Sequence, residues 1–124
     1  MNESLLESLA SMPTTEVVRR AGVEDFLARH EYSLLLFTGN TEAKSEGLDV
    51  AIVVREIIKK YGDRLVLGIA DRRDETATMA KVGVVVLPAV AFIRKGKTRE
   101  VVARMRDWPV YAQAVERLFA DERD

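Results

Sequence analysis

Two apolar runs of strand length, separated by a helix-length segment with apolar residues at three-to-four spacing, confine this chain to a small set of folds. Tyr32 to Thr38 is apolar enough to suit a central strand covered on both faces, and Gly39-Asn40 closes it. From Ser45 to Tyr61 the residues Leu48, Ile52, Val53, Ile57, Ile58 and Tyr61 recur at helical intervals, and Gly62 is a natural left-handed stop. Leu65 to Ala70 then reads as a second buried strand. A strand, a helix and a strand in this order imply a right-handed parallel crossover.

The flanking sequence extends the pattern. Glu3 to Met12 sets Leu5, Leu6, Leu9 and Met12 on one helical face before Pro13, as a lid on the domain or as a partner-binding arm. Thr15 to Arg19 suits an edge strand, and Val23 to His30 a short helix burying Val23, Phe26 and Leu27. Asp71 to Asp74 offers turn and cap chemistry before a helix through Met79 to Val82, which Gly83 ends. Ala89 to Ile93, the turn Arg94-Lys95-Gly96-Lys97 and Thr98 to Ala103 form a hairpin. Asp107 caps a last helix with Ala112, Val115, Leu118 and Phe119 on its inner face. The expectation is an α/β chain with a mixed sheet and helices on both faces. Residues 1–124 are expected to form one domain, with a leading helix at 1–13 and a frayed, fully charged tail at 121–124.

Composition removes several function classes. The formal net charge is -1, without the basic surplus that phosphate neutralisation demands, so no nucleic-acid partner is expected. No apolar run reaches the ~20 residues of a membrane span, and Met1-Asn2-Glu3-Ser4 lacks the character of a secretory signal, so a cytoplasmic location is expected. There are no cysteines, which excludes disulfides, thiolate nucleophiles and cysteine zinc sites. No Gly-rich phosphate loop, nucleophile elbow or metal-ligand spacing occurs, and His30 stands alone as the single histidine. Neither catalytic residues nor a cofactor are expected.

The succession of elements after Pro13 resembles the thioredoxin fold, most specifically over Ala80 to Lys97, where Gly83, Leu87-Pro88-Ala89 and Gly96 match the segment with the cis-proline and the glycine hairpin. The resemblance implies a cis Pro88 and a thioredoxin-like three-layer sandwich. It also places the usual cysteine pair at Thr41-Glu42-Ala43-Lys44-Ser45-Glu46-Gly47, which holds no sulfur. Thiol–disulfide exchange requires an attacking thiolate, so redox chemistry is excluded. Together with Val66 to Asp71 and the late Asp107-Trp108-Pro109, these residues resemble the thioredoxin-like accessory proteins of nickel–iron hydrogenase maturation, the HyaE/HupG/HoxO group. That resemblance implies a non-enzymatic chaperone that binds the hydrogenase small-subunit precursor at or near its twin-arginine signal peptide before export.

Recognition of arginines calls for carboxylates, which take guanidinium groups by charge-assisted, often bidentate bonds. Glu42, Glu46 and Asp49 lie at the start of the main helix, while Asp71, Asp74 and Glu75 follow the second parallel strand. Both sets are expected at the carboxyl end of the strands, where open α/β sheets place ligands. They form one acidic rim in one reading and ordinary helix caps in the other. Lys44 and Arg72-Arg73 dilute its charge. Leu87 and Pro88 either flank a groove for an extended peptide or make a structural kink. Trp108 is either a buried plug over the last helix, as its average burial suggests, or a surface anchor. The alternative function is a redox-dead interaction module for another partner or for self-assembly, and the oligomeric state is left open.

Overall fold

The computed structural model describes residues 7–40, 42 and 45–120. After a helical stretch at 7–10 come β1 (Thr15–Val18), α1 (Val23–Arg29), β2 (Tyr32–Phe37), α2 (Glu46–Tyr61) and β3 (Val66–Ala70). Then follow α3 (Glu75–Val82), β4 (Ala89–Arg94), β5 (Lys97–Ala103) and α4 (Trp108–Ala120). The strands form one sheet in the order β1-β3-β2-β4-β5. β3 is parallel to both β1 and β2, and β4 is antiparallel to β2 and β5.

Two apolar layers clamp this sheet, as the period of two along a strand requires. Leu34, Leu36, Val90 and Phe92 face α2 and α4, while Leu35, Phe37, Ala91 and Ile93 face α1 and α3. The sheet is therefore mixed, with helices on both faces, as expected. Gly68 has a packing reason: a Cβ there would come within 3.0 Å of the Phe26, Leu35 and Val18 side chains, so α1 rests directly on β3.

α2 starts where expected because the Ser45 hydroxyl accepts the Leu48 N–H at 3.3 Å, and it ends at Gly62 with φ of 62°. Its buried stripe includes Leu48, Val54, Ile57 and Ile58, but Ile52 is exposed. The last helix is turned slightly from its expected face. Tyr111 and Ala114 are buried with Val115 and Leu118, while Ala112 and Phe119 are only half-buried. Tyrosine takes a core position here because its hydroxyl donates to the Arg104 carbonyl and accepts the Arg106 N–H, both at 3.2 Å. In the leading segment Leu9 is buried against the α2–α4 side; Leu5 and Leu6 lie outside the described residues, as does the tail 121–124. No helix among the described residues is long and apolar enough to cross a membrane.

Candidate functional site

Strand directions decide what meets at one end of the sheet. Because β2 and β3 are parallel, the loop after Phe37 and the turn Arg72–Asp74 leave the same end. Because β4 runs the other way, its entry at Leu87-Pro88 returns to that end, with Ala89 opposite Phe37. The Leu87–Pro88 bond is cis. The Pro88 carbonyl accepts the Arg104 N–H at 2.7 Å, which adds the loop after β5. Between these segments lies a cleft of about 370 Å³ walled by Thr38, Asn40, Glu46, Arg72, Leu87 and Pro88. Its wall includes Ser45, Glu46 and Gly47, part of the sulfur-free segment 41–47. A slightly larger hollow, about 410 Å³, lies between β5 and α4, away from this end; its Arg117 is held bidentately by Glu100 at 2.9 Å on each oxygen.

Gly47 sets the shape of the cleft. A Cβ on it would lie within 3.0 Å of the carbonyl oxygens of both Thr38 and Asn40, so α2 begins in direct backbone contact with the loop leaving β2. Glu46, one residue earlier, is thereby held on the cleft wall.

The carboxylates at this end differ sharply in what they already bind. Glu46 accepts Arg104 on Oε1, from Nε at 2.9 Å and Nη2 at 2.5 Å, and the Met105 N–H on Oε2 at 2.7 Å. The Arg104 guanidinium, with help from the Met105 N–H, holds its carboxyl below the usual range. Asp71 is wrapped by Arg73, accepting its N–H at 2.9 Å, its Nε at 3.0 Å and its Nη2 at 2.7 Å. That side chain, then the Arg73 N–H, depresses the Asp71 carboxyl far below the carboxylate range. Asp74 accepts the Arg19 Nε at 3.1 Å and the Arg20 N–H at 3.0 Å, which ties the turn after β3 to the end of β1. Glu75 is only 5% exposed; it accepts the Gly39 N–H at 3.2 Å and meets the Arg72 Nε at 3.4 Å. Glu42 and Asp49 are exposed and carry no ion pair among the described residues.

The six acids thus gather at one end of the sheet, but four of them are already matched by arginines of the same chain. Glu46, Leu87 and Pro88 share the cleft, with Arg72 reaching it from the Glu75 side. Asp71 and Asp74 turn toward Arg19 at the β1 edge. Lys44 lies outside the described residues. Trp108 is 40% exposed, so it is not the buried plug; it stands at the start of α4, three residues past Met105.

Sequence reasoning did not single out the apolar side chains around this end. Val85 is 87% exposed, and Val86, Met105 and Val110 are also exposed. All lie within a few residues of the Pro88–Arg104 hydrogen bond. The signal was present in the run Val84-Val85-Val86-Leu87, which has more apolar residues than a turn before a proline requires. The backbone of Val86 and Leu87 makes no hydrogen bond among the described residues. His30 lies at the opposite end, its Nε2 3.2 Å from Glu16 Oε2. No group of three or more metal-ligating side chains occurs among the described residues.

A family model described as "Hydrogenase-1 expression protein HyaE" matches residues 5–111. The hydrogenase expression/formation protein HupG of Bradyrhizobium diazoefficiens is 34% identical over 106 residues, covering 82% of this chain and 72% of that protein. HoxO of Cupriavidus necator, also named a hydrogenase expression/formation protein, is 28% identical over 118 residues, covering 94% of this chain and 73% of its own length. Among solved structures, a Rhodopseudomonas palustris protein described as a hydrogenase expression/formation protein HupG aligns with a TM-score of 0.55 at 31% identity, over 85% of this chain and 95% of that one. Plasmodium falciparum thioredoxin aligns with a TM-score of 0.66 at 16% identity, over 81% and 96%. The thioredoxin likeness is one of fold.

Proposed function

Because this chain belongs to the HyaE family of hydrogenase expression proteins, we propose that it is a non-enzymatic, cytoplasmic chaperone of nickel–iron hydrogenase maturation. Its partner is the small-subunit precursor, bound at or near the twin-arginine signal peptide before export. The observation that carries this reading is the cleft at the carboxyl end of β2 and β3. It keeps the place of a thioredoxin site in the fold and has, instead of thiols, a sulfur-free wall with one carboxylate, Glu46, and one guanidinium, Arg72.

Three features of that end suit such a peptide. The unengaged backbone of Val86 and Leu87 offers strand-like pairing to an extended segment. Glu46, together with Glu42 and Asp49 on the rim, offers carboxylates to arginines. Val85, Val86, Met105 and Trp108 are exposed apolar side chains on the segments flanking the Pro88–Arg104 hydrogen bond, and they suit the uncharged stretch that follows the arginines in a signal peptide.

Calorimetric titration with a small-subunit signal peptide, its twin-lysine variant and an unrelated twin-arginine signal tests the proposal. Selective binding of the first is expected. Equal binding of all three, or of none, would remove the dedicated-chaperone reading. A second reading, an interaction module that self-assembles, draws on the edge strand β1, where Val17 is 53% exposed. A tight dimer in light scattering, indifferent to signal peptides, would favour it.

A further inference from the structure

Among the described residues, two that are not glycine have positive φ. Lys95, at 51°, sits in the β4–β5 hairpin beside Gly96, where a tight turn demands it. Arg104, at 68°, follows β5 directly with no such turn. Glycine adopts this conformation without the steric penalty of a Cβ. The backbone bonds that hold Arg104, its N–H on Pro88 and its carbonyl on the Tyr111 hydroxyl, are open to glycine as well. What arginine adds is its side chain, which goes to Glu46 on the cleft wall. Glu46 does not need that partner to stay in place, because the Met105 N–H already holds Oε2. Both members of the pair are partly exposed, so the bond is exchangeable.

We propose that Arg104 is an internal stand-in for a partner's guanidinium, occupying Glu46 in the free protein and yielding it when an arginine of the bound segment enters the cleft. This rests on the reading above that the segment carries arginines. The exchange is matched in chemistry: one guanidinium replaces another on the same carboxylate, so Glu46 stays paired, and the displaced Arg104 side chain, already 55% exposed, is hydrated by solvent. An entering lysine presents a compact ammonium without the planar fork and replaces the two Arg104 bonds less well. Arg104 thus sets a threshold that every ligand of Glu46 must exceed, one that a guanidinium clears more readily than an ammonium. Arg73 differs, since it folds back on Asp71 two residues away from it.

The experiment compares wild type, Arg104→Gly, Glu46→Gln and the double variant by calorimetric titration with a hydrogenase small-subunit signal peptide and its twin-lysine form. Thermal melts check that all four fold, and Arg104→Gly is expected to melt within a few degrees of wild type. Removing the competitor should tighten binding of the twin-arginine peptide about two- to fivefold, the range of an exposed ion pair. It should tighten the twin-lysine form less, because an ammonium gains less from a vacated Glu46, and the gain should vanish when Glu46 is replaced. Binding by Arg104→Gly alone, with wild type silent, would also support the stand-in. Binding by wild type with no gain in Arg104→Gly would overturn the stand-in and leave the chaperone reading intact. Silence of every variant would overturn both.

Discussion

Replacing Gly47 with alanine tests whether the cleft is built on the backbone contact between α2 and the loop leaving β2. Alanine is about 1 kcal/mol better than glycine inside a helix, so propensity alone predicts a more stable protein. The structure predicts the opposite. The new Cβ would come within 3.0 Å of two backbone oxygens, on Thr38 and Asn40, and 3.1 Å from the Thr38 carbonyl carbon. Neither oxygen sits on a flexible side chain, so the loop or the first turn of α2 must move. Overpacking of this kind costs roughly 3 kcal/mol at the upper end of its usual range, which leaves a net loss of about 2 kcal/mol after the helix gain. For a chain of this size that is about 8 °C in melting temperature. Thermal and urea unfolding followed by circular dichroism would measure it. The displacement also carries Glu46 off the cleft wall, so signal-peptide affinity should fall with stability. A Gly47→Ala protein that melts at or above the wild-type temperature would refute the argument.

Three other outcomes are expected. Asp71 and Glu46 both hold their protons more weakly in the folded protein than in the unfolded chain. Their stabilisation is therefore complete above the unfolded carboxylate pKa of about 4 and is lost as pH falls below it, so melting temperature should drop between about pH 5 and 2, less steeply in Asp71→Asn. Tyr111→Phe leaves the Arg106 N–H and Arg104 carbonyl without their shared hydroxyl and should cost about 1–2 kcal/mol in urea unfolding, with the core volume unchanged. Trp108 is the only tryptophan and is partly exposed, so its fluorescence should shift to the blue when a peptide covers it; Trp108→Ser should weaken binding with little change in the melt.

The fold was legible because apolar spacing switches cleanly between period two and period three-to-four along most of the chain. The strand run from Tyr32 is closed by Gly39-Asn40, and the helix from Ser45 to Tyr61 opens on a serine cap and stops at Gly62. The inner face of α4 was less legible, because Tyr111 has a polar tip and is buried only by virtue of backbone partners contributed by the preceding loop. At the site, the sequence placed the acids at the right end of the sheet but gave no indication of their partners. Ion pairing between Glu46 and Arg104 spans 58 positions and follows from the β4–β5 hairpin bringing Arg104 beside Pro88. Glu75 reads as a surface acid in sequence, yet the Gly39 N–H at the end of β2 draws its carboxylate inside.

That internal pairing changes how a peptide would be recognised here. A rim of free carboxylates attracts any cation, lysine and arginine alike, through a field that salt screens within about 10 Å. When the acids already hold arginines, long-range attraction falls to Glu42 and Asp49, which carry no ion pair among the described residues, and discrimination passes to the short-range geometry of exchange. A guanidinium can take over bonds that a guanidinium was making; an ammonium cannot reproduce the same fork. Contacts to the exposed apolar side chains Val85, Val86, Met105 and Trp108 would add a contribution that salt does not weaken. Losing the cysteines removed the thiol chemistry of the fold without removing its cleft, because the cleft is made by strand ends, the backbone contact at Gly47 and the loop at Pro88, none of which depends on sulfur.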